Sequence, residues 1–232
     1  MFAKLAQPNR DRRPNERGFT IIELMIATAV LSTIILLVTV LMINVSNLYY
    51  KGINQSRAQD NARSIVDDVA SHLQLSDHSP SGPVSQTYPQ HDVNATTIYA
   101  YCIDNIRYSF ATGIQMGSTV GDYTLQHILW RDTISSGAGC VPADLTQSNP
   151  SATTGGSNGA ELVAAKSRLS TFSINPVTSP YVVTVGVAYG DDDLLNNPAS
   201  TNPLCKGGTG DQFCATARLQ VTVTKRLTDN SL

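Results

Sequence analysis

The chain has 232 residues, of which 41% are hydrophobic and 15% are charged, which allows one domain with a real core plus an appendage. Charge is uneven, because residues 1–18 carry five basic and two acidic side chains and the remainder carries 11 basic against 16 acidic ones. A body with this acidic balance is a poor electrostatic partner for a phosphate backbone, so we expect no direct contact with nucleic acid.

An apolar run follows the basic N-terminal segment. Leu24–Ile43 contains no charge, proline or glycine, and as a helix it would be about 30 Å long, the thickness of a bilayer core. The basic flank predicts a single-pass protein in the cytoplasmic (inner) membrane, with its N-terminus inside and its C-terminal body outside. The run is too long for the apolar region of a cleaved secretory signal, which is about 7–15 residues.

Glu23 stands at the start of this run, where a carboxylate costs free energy unless it finds a partner or reaches the interface. A simple membrane anchor does not explain it. The stretch "RGFTIIELMIATAVLSTIILL" closely resembles the cleavage and methylation motif of type IV prepilins and type II secretion pseudopilins. The match consists of a basic leader ending in Gly18, then Phe19, then Thr-Ile-Ile-Glu-Leu, and it covers only the N-terminal part of the chain.

The resemblance implies that a prepilin peptidase cuts between Gly18 and Phe19 and N-methylates Phe19. The new α-amine can then pair with Glu23, in the family usually that of a neighbouring subunit, and pairing makes a charge in lipid tolerable. The implied partners are the peptidase, other pilin or pseudopilin subunits and an inner-membrane assembly platform, with a cell-surface or periplasmic filament as the final location.

The helix is predicted to continue beyond the membrane. Apolar residues recur there at helical spacing, at Ala58, Ala62, Ile65, Val66, Val69 and Leu73. The expected organisation is a cleaved leader at 1–18, a transmembrane and filament-core helix at 19–45, an amphipathic helix at 46–76 and an extracytoplasmic β-rich domain at 77–232. Two helices separated by a turn at Lys51–Gly52 are the alternative for the middle of this region.

Strand-like segments rich in β-branched and aromatic residues follow Pro89: "TIYAYCI", "IRYSFA", "YTLQHILW", "LSTFSI", "YVVTVGVAY" and "ARLQVTVTKR". The Gly/Ser-rich stretch from Gln147 to Gly159 is predicted to be a flexible loop. The predicted fold class is α+β and pilin-like, with a long N-terminal helix packed on an antiparallel β-sheet.

Four cysteines lie in the exported part and form no C-x-x-C pair. Behind a membrane signal, an even number of cysteines favours disulfide bonds over four unrelated buried thiols. The stretch "CKGGTGDQFC" resembles a small closed loop, which predicts the pairs Cys205–Cys214 and Cys102–Cys140.

Three consecutive carboxylates, Asp191, Asp192 and Asp193, could offer oxygen ligands to calcium. Their spacing does not match an EF-hand, so we favour a solvated turn and keep calcium as the alternative; no other cofactor is expected. No nucleophile elbow, P-loop or dinucleotide-binding motif is present, so we do not expect an enzyme.

The sequence therefore favours a structural subunit of a type IV pilus-like filament. In the family that the motif resembles, major pilins often have a proline or glycine in this helix, and Leu24–Ile43 has neither. The resemblance therefore favours a minor pilin or a pseudopilin over a bulk filament subunit. A type II secretion pseudopilus and a DNA-uptake pilus are the alternatives within this class. The alternative from another class is a signal-anchored extracytoplasmic binding protein or enzyme, which predicts an uncut Gly18–Phe19 bond.

Overall fold

The computed structural model describes residues 18–88, 96–120, 123–135, 137, 139–175 and 178–226. It has the predicted α+β architecture. The helices are α1 (Ile21–Leu75) and α2 (Pro150–Thr153), with two 3-10 turns at Asp192–Leu194 and Asp211–Phe213. The strands are β1 (Ser81–Tyr88), β2 (Thr96–Ile103), β3 (Ile106–Phe110), β4 (Thr119–Val120), β5 (Tyr123–Thr124), β6 (Leu129–Ile134), β7 (Gly156–Glu161), β8 (Ser167–Asn175), β9 (Tyr181–Tyr189), β10 (Leu195–Asn196), β11 (Leu204–Cys205) and β12 (Ala215–Val223).

Helix α1 runs without a break through Lys51 and Gly52, so the alternative with a turn there is wrong. The chain forms two compact units that divide between Ser46 and Asn47. In the first unit, the helix is long and apolar enough to cross a membrane, and the described residues bury none of its most apolar segment. Its hydroxyl groups donate to backbone carbonyls one turn earlier, as from Ser32 to Thr28 at 2.7 Å, which leaves the helix surface apolar.

In the second unit, one apolar face of α1 is buried instead of exposed. Every position of the predicted amphipathic stripe is inaccessible to solvent, namely Ala58, Ala62, Ile65, Val66, Val69 and Leu73. These side chains share one core with residues of β2, β3, β8, β9 and β12. The 3.6-residue period of the sequence therefore identifies the surface on which the body is assembled.

Two antiparallel sheets complete that core. The first has five strands in the order β1-β2-β3-β6-β7, the second has three in the order β12-β9-β8, and β4–β5 and β10–β11 form two short ribbons. The sheets meet at an edge-to-face contact between Phe110 of β3 and Phe172 of β8, whose ring centroids are 4.9 Å apart. This contact joins both sheets beneath α1 into one hydrophobic core.

The prediction of a single strand over Tyr123–Trp130 is wrong. Only its two ends lie in strands, β5 and the start of β6. Between them, the backbone N–H groups of Gln126 and His127 both donate to the carbonyl of Leu145. The backbone here bonds to a loop instead of a neighbouring strand, which the alternation of side chains could not indicate.

The stretch Gln147–Gly159, predicted as a flexible loop, contains α2 and part of β7. Its small residues serve close packing, because a Cβ atom at Gly159 would lie 2.1 Å from an atom of the Trp130 ring. Ser151 accepts a hydrogen bond from Trp130 Nε1 at 2.9 Å. The composition that suggested flexibility is what lets this segment lie against Trp130.

Strand β1 was also missed, because "SGPVSQTY" lies in a stretch rich in turn residues. Among the described residues it is an edge strand that pairs with β2 alone, and its register shifts between Ser81 and Val84. Pro83 is tolerated there because an edge position does not require its missing N–H group.

We expect Leu73→Ala to lower the free energy of unfolding by about 2–5 kcal/mol, because it opens a cavity between α1 and the sheets. Leu73 is completely buried, whereas Leu75, two residues later on the same helix, is 63% exposed. The matched control Leu75→Ala should change stability by less than about 0.5 kcal/mol. Urea unfolding of the full chain in detergent micelles, followed by Trp130 fluorescence, measures both; equal effects would contradict the assigned helix face.

Candidate functional site

The candidate processing segment lies immediately before α1. Gly18, Phe19 and Thr20 are outside the helix, which begins at Ile21. Phe19 is 85% exposed, and a Cβ atom placed on Gly18 would have no neighbour within 4 Å. The Gly18–Phe19 peptide bond is therefore open to an approaching protease on the side that the structure describes.

Thr20 and Glu23 form a capping box at the start of α1. The backbone N–H of Thr20 donates to Glu23 Oε2 at 3.2 Å, and the backbone N–H of Glu23 donates to Thr20 Oγ1 at 3.3 Å. The Thr20 hydroxyl also donates to Glu23 Oε2 at 3.1 Å. These reciprocal bonds satisfy N–H groups that a helix start leaves unpaired, and the carboxylate also faces the positive end of the helix dipole.

The sequence analysis missed this partner of Glu23, although Thr-x-x-Glu before an apolar run is the signature of a capping box. The Thr20 amide stays in the chain if the Gly18–Phe19 bond is cut, so cleavage leaves the box intact. All of the hydrogen bonds to the Glu23 carboxylate use Oε2. Among the described residues, Oε1 accepts no hydrogen bond, so it is available to a second donor.

The structure joins Cys205 to Cys214 and Cys102 to Cys140, each with 5.8 Å between Cα atoms. The loop Cys205–Cys214 is attached to α1 shortly after the apolar stretch. Asp211 forms an ion pair with Lys51, and Asn54 Nδ2 donates to the carbonyl of Gln212 at 2.8 Å. This loop therefore lies against the first helical turns of the second unit.

The acidic turn Asp191–Asp193 is held by contacts with two basic side chains, Arg168 and Lys206. Asp192 lies 2.5 Å from Nη1 of Arg168, a completely buried guanidinium whose Nη2 donates to the Gly190 carbonyl at 3.0 Å. Lys206 Nζ donates to the backbone carbonyl of Asp193 at 2.6 Å. In the described parts of the chain, no group of three or more His, Cys, Asp or Glu side chains is placed to hold a metal ion.

The far end of α1 is held by polar contacts. Tyr108 donates to Asp68 Oδ2 at 2.8 Å, and Arg131 pairs with the other carboxylate oxygen. Burial, and then the neighbouring Asp68 charge, raise the pKa of Tyr108 well above its usual range, so it stays a donor.

Asp104 accepts hydrogen bonds from the backbone N–H groups of Asp77 and His78 just beyond the helix. Burial acts to raise the pKa of Asp104, but these bonds and the His78 ring outweigh it and lower the pKa below its usual 3.8.

The histidines of the described chain belong to such structural contacts. His72 Nδ1 lies 2.8 Å from the Tyr108 hydroxyl, and His78 lies 3.2 Å from Asp104. The His127 ring contacts that of Trp130 at a tilt, with 4.3 Å between the ring centroids. His91 lies outside the described residues. None of these three contacts joins a histidine to a serine nucleophile, so they lend no support to a triad.

The site and the fold together define an α+β protein with an exposed apolar N-terminal helix and an open, capped helix start. Residues 13–39 match the family model described as the prokaryotic N-terminal methylation motif, the hallmark of type IV prepilins and pseudopilins. Comparisons with curated proteins and with solved structures gave no match. The motif supports a pilin-type substrate of prepilin peptidase and points to a structural subunit instead of an enzyme.

We expect Thr20→Ala to weaken the start of α1 by about 0.5–2 kcal/mol, because it removes the capping hydroxyl. Thr20→Ser, which keeps the hydroxyl, should behave like the natural chain. Amide hydrogen exchange at Glu23 and Leu24 in the full chain in micelles measures the difference. Equal exchange rates in all three proteins would show that the box does not stabilise the helix start.

Proposed function

We propose that the chain is a minor pilin or pseudopilin, a structural subunit of a type IV pilus-like filament that assembles through its N-terminal helix. The observation that carries this proposal is the methylation motif at an open helix start, followed by an apolar helix that the described residues leave unburied. A helix exposed on all sides suits lipid before assembly and neighbouring helices afterwards.

The exposure of Gly18 and Phe19 supports cleavage between them. Cleavage would create an α-amine at Phe19, and N-methylation would keep it basic. Glu23 would then serve two functions: Oε2 caps its own helix, and Oε1 accepts the amine of a neighbouring subunit. A charge pair of this kind favours docking in register, because an unpaired carboxylate in an apolar filament core is costly.

The remaining features support a body outside the cytoplasm. Two disulfide bonds suit an oxidising compartment, and the basic residues before the apolar stretch favour a cytoplasmic N-terminus. The assembly platform in the inner membrane and other pilin or pseudopilin subunits are the partners that this proposal requires.

The intact mass and N-terminal peptide of the protein from its native membrane test the processing step. We expect a chain that begins at N-methylated Phe19. Gly18→Val should leave the leader attached, because a branched side chain would crowd the scissile bond. A natural chain that still begins at Met1 in cells with an active peptidase would refute processing and favour a signal-anchored binding protein or enzyme.

Two substitutions of Glu23 separate its charge from its cap. Glu23→Gln can keep the capping box, since glutamine also serves at this position, but it has no charge to pair with an amine. We expect both Glu23→Gln and Glu23→Ala to be exported and to enter filaments poorly, as measured by immunoblotting of sheared filaments. Normal incorporation of Glu23→Gln with poor incorporation of Glu23→Ala would assign the function to the cap alone. Normal incorporation of both would refute the pairing mechanism.

A further inference from the structure

Three exposed aromatic rings form a continuous patch at the start of the second unit. Tyr49 and Tyr50 lie on α1, and Phe213 lies on the disulfide-closed loop; their exposed fractions are 65%, 50% and 49%. The Tyr49 and Tyr50 ring centroids are 6.0 Å apart, and those of Tyr50 and Phe213 are 6.1 Å apart. We call Tyr49, Tyr50 and Phe213 the aromatic patch.

The position of Phe213 is fixed by its neighbours on both sides in the chain. Cys214 is bonded to Cys205, the Gln212 carbonyl accepts a hydrogen bond from Asn54, and Asp211 pairs with Lys51. The Phe213 ring lies outside the core, and a disulfide bond, an ion pair and a hydrogen bond of its chain neighbours hold it exposed. Keeping a large apolar side chain exposed in water is unfavourable, so this arrangement indicates a surface that is covered in the functional protein.

The sequence places this patch at one boundary of the apolar stretch. No charged residue occurs from Leu24 to Tyr50, between Glu23 and Lys51. A helix of this length is about 40 Å long, which matches a bilayer with its head-group regions included. Tyr49 and Tyr50 are the last residues of the stretch, and tyrosine is enriched where membrane and water meet, because its ring is apolar and its hydroxyl is polar.

We propose that the aromatic patch rests in the outer head-group region of the membrane, so that the disulfide-closed loop forms a second contact with lipid beside the spanning helix. The inference depends on the membrane anchoring in the proposed function and adds the body surface that touches the bilayer. Lipid is the occupant because Tyr49 and Tyr50 continue the membrane-spanning stretch itself. Phe213, whose exposed ring lies beside that of Tyr50, extends this interface onto the body.

Depth-dependent fluorescence quenching in a bilayer tests the contact. The chain has one tryptophan, Trp130, which is buried and gives the same background in every variant. Phe213→Trp places a reporter in the patch of the full-length protein, with one copy per lipid nanodisc. Val221→Trp is the matched control, because Val221 is similarly exposed but lies near the other end of β12. Three residues beyond that end, the backbone N–H of Arg226 donates to the carbonyl of Gln74, late in α1.

We expect lipids brominated near the head groups to remove most of the added emission of Phe213→Trp, and lipids brominated near the bilayer centre to remove less. The emission of Phe213→Trp should also shift to shorter wavelength relative to Val221→Trp, whose intensity should not change with either lipid.

The lipid contact would be overturned if the brominated lipids quenched Phe213→Trp no more than Val221→Trp. If alkaline carbonate did not extract the same chain from the membrane, the anchoring would remain intact. A blue shift that appears only with two copies per disc would assign the patch to a second copy of the chain and also overturn the lipid contact. Extraction by carbonate would overturn the anchoring and the contact together, whereas the state of the N-terminus tests filament processing separately.

Discussion

The burial of one face of α1 between Ala58 and Leu73 is the interaction on which the body depends. Both sheets contribute to the core that covers this face, and the contact between Phe110 and Phe172 closes the space beneath it. The small alanines at 58 and 62 are buried as completely as the larger Ile65 and Leu73, so the whole face lies in the core. Because one helix carries both this face and the apolar stretch, the same element has to suit a protein core along one part and an apolar surrounding along the other.

The start of α1 shows how one carboxylate can be acceptable in such a helix. A carboxylate next to an apolar surface needs hydrogen bonds, and Glu23 accepts them from the hydroxyl and the backbone N–H of Thr20. The helix start is thus satisfied before any neighbour arrives. Any pairing between subunits would add to this arrangement and would not have to replace it, since Oε1 is not used by the cap within the described chain.

Elsewhere in the body, covalent and ionic links hold segments that have little regular structure. Arg107 and Asp132 form a buried two-point ion pair with distances of 2.9 and 2.5 Å, and Ser151 donates to the same carboxylate at 2.8 Å. Arg107 Nη1 also donates to the carbonyl of Val141, which follows the disulfide-bonded Cys140. The long connection between β6 and β7 is thereby fixed to the sheet at Cys102 and at Arg107, which are paired in register on β2 and β3. A buried pair of this kind orders a segment well because an unpaired charge would be costly there.

The sequence by itself determined the features that depend on local periodicity. The uncharged run, the apolar positions along α1 and the alternation in Tyr181–Tyr189 each repeat at the spacing of a helix or a strand, so they could be recognised without a partner. The Gly18, Phe19 and Glu23 motif was equally readable, because it is a contiguous stretch. The cap is equally local, because Thr20 and Glu23 stand at the three-residue spacing of a capping box.

Only the tertiary structure decided the features that depend on distant partners. The edge strand Ser81–Tyr88 and the strand Gly156–Glu161 have weak local signals, and they exist because β2 and β6 supply hydrogen bonds to them. The patch formed by Tyr50 and Phe213 joins residues far apart in the chain, and no pattern near either residue indicates the other. A hydrogen bond or a ring contact across the fold has no period in the sequence, which is why the helix could be predicted and the surfaces around it could not.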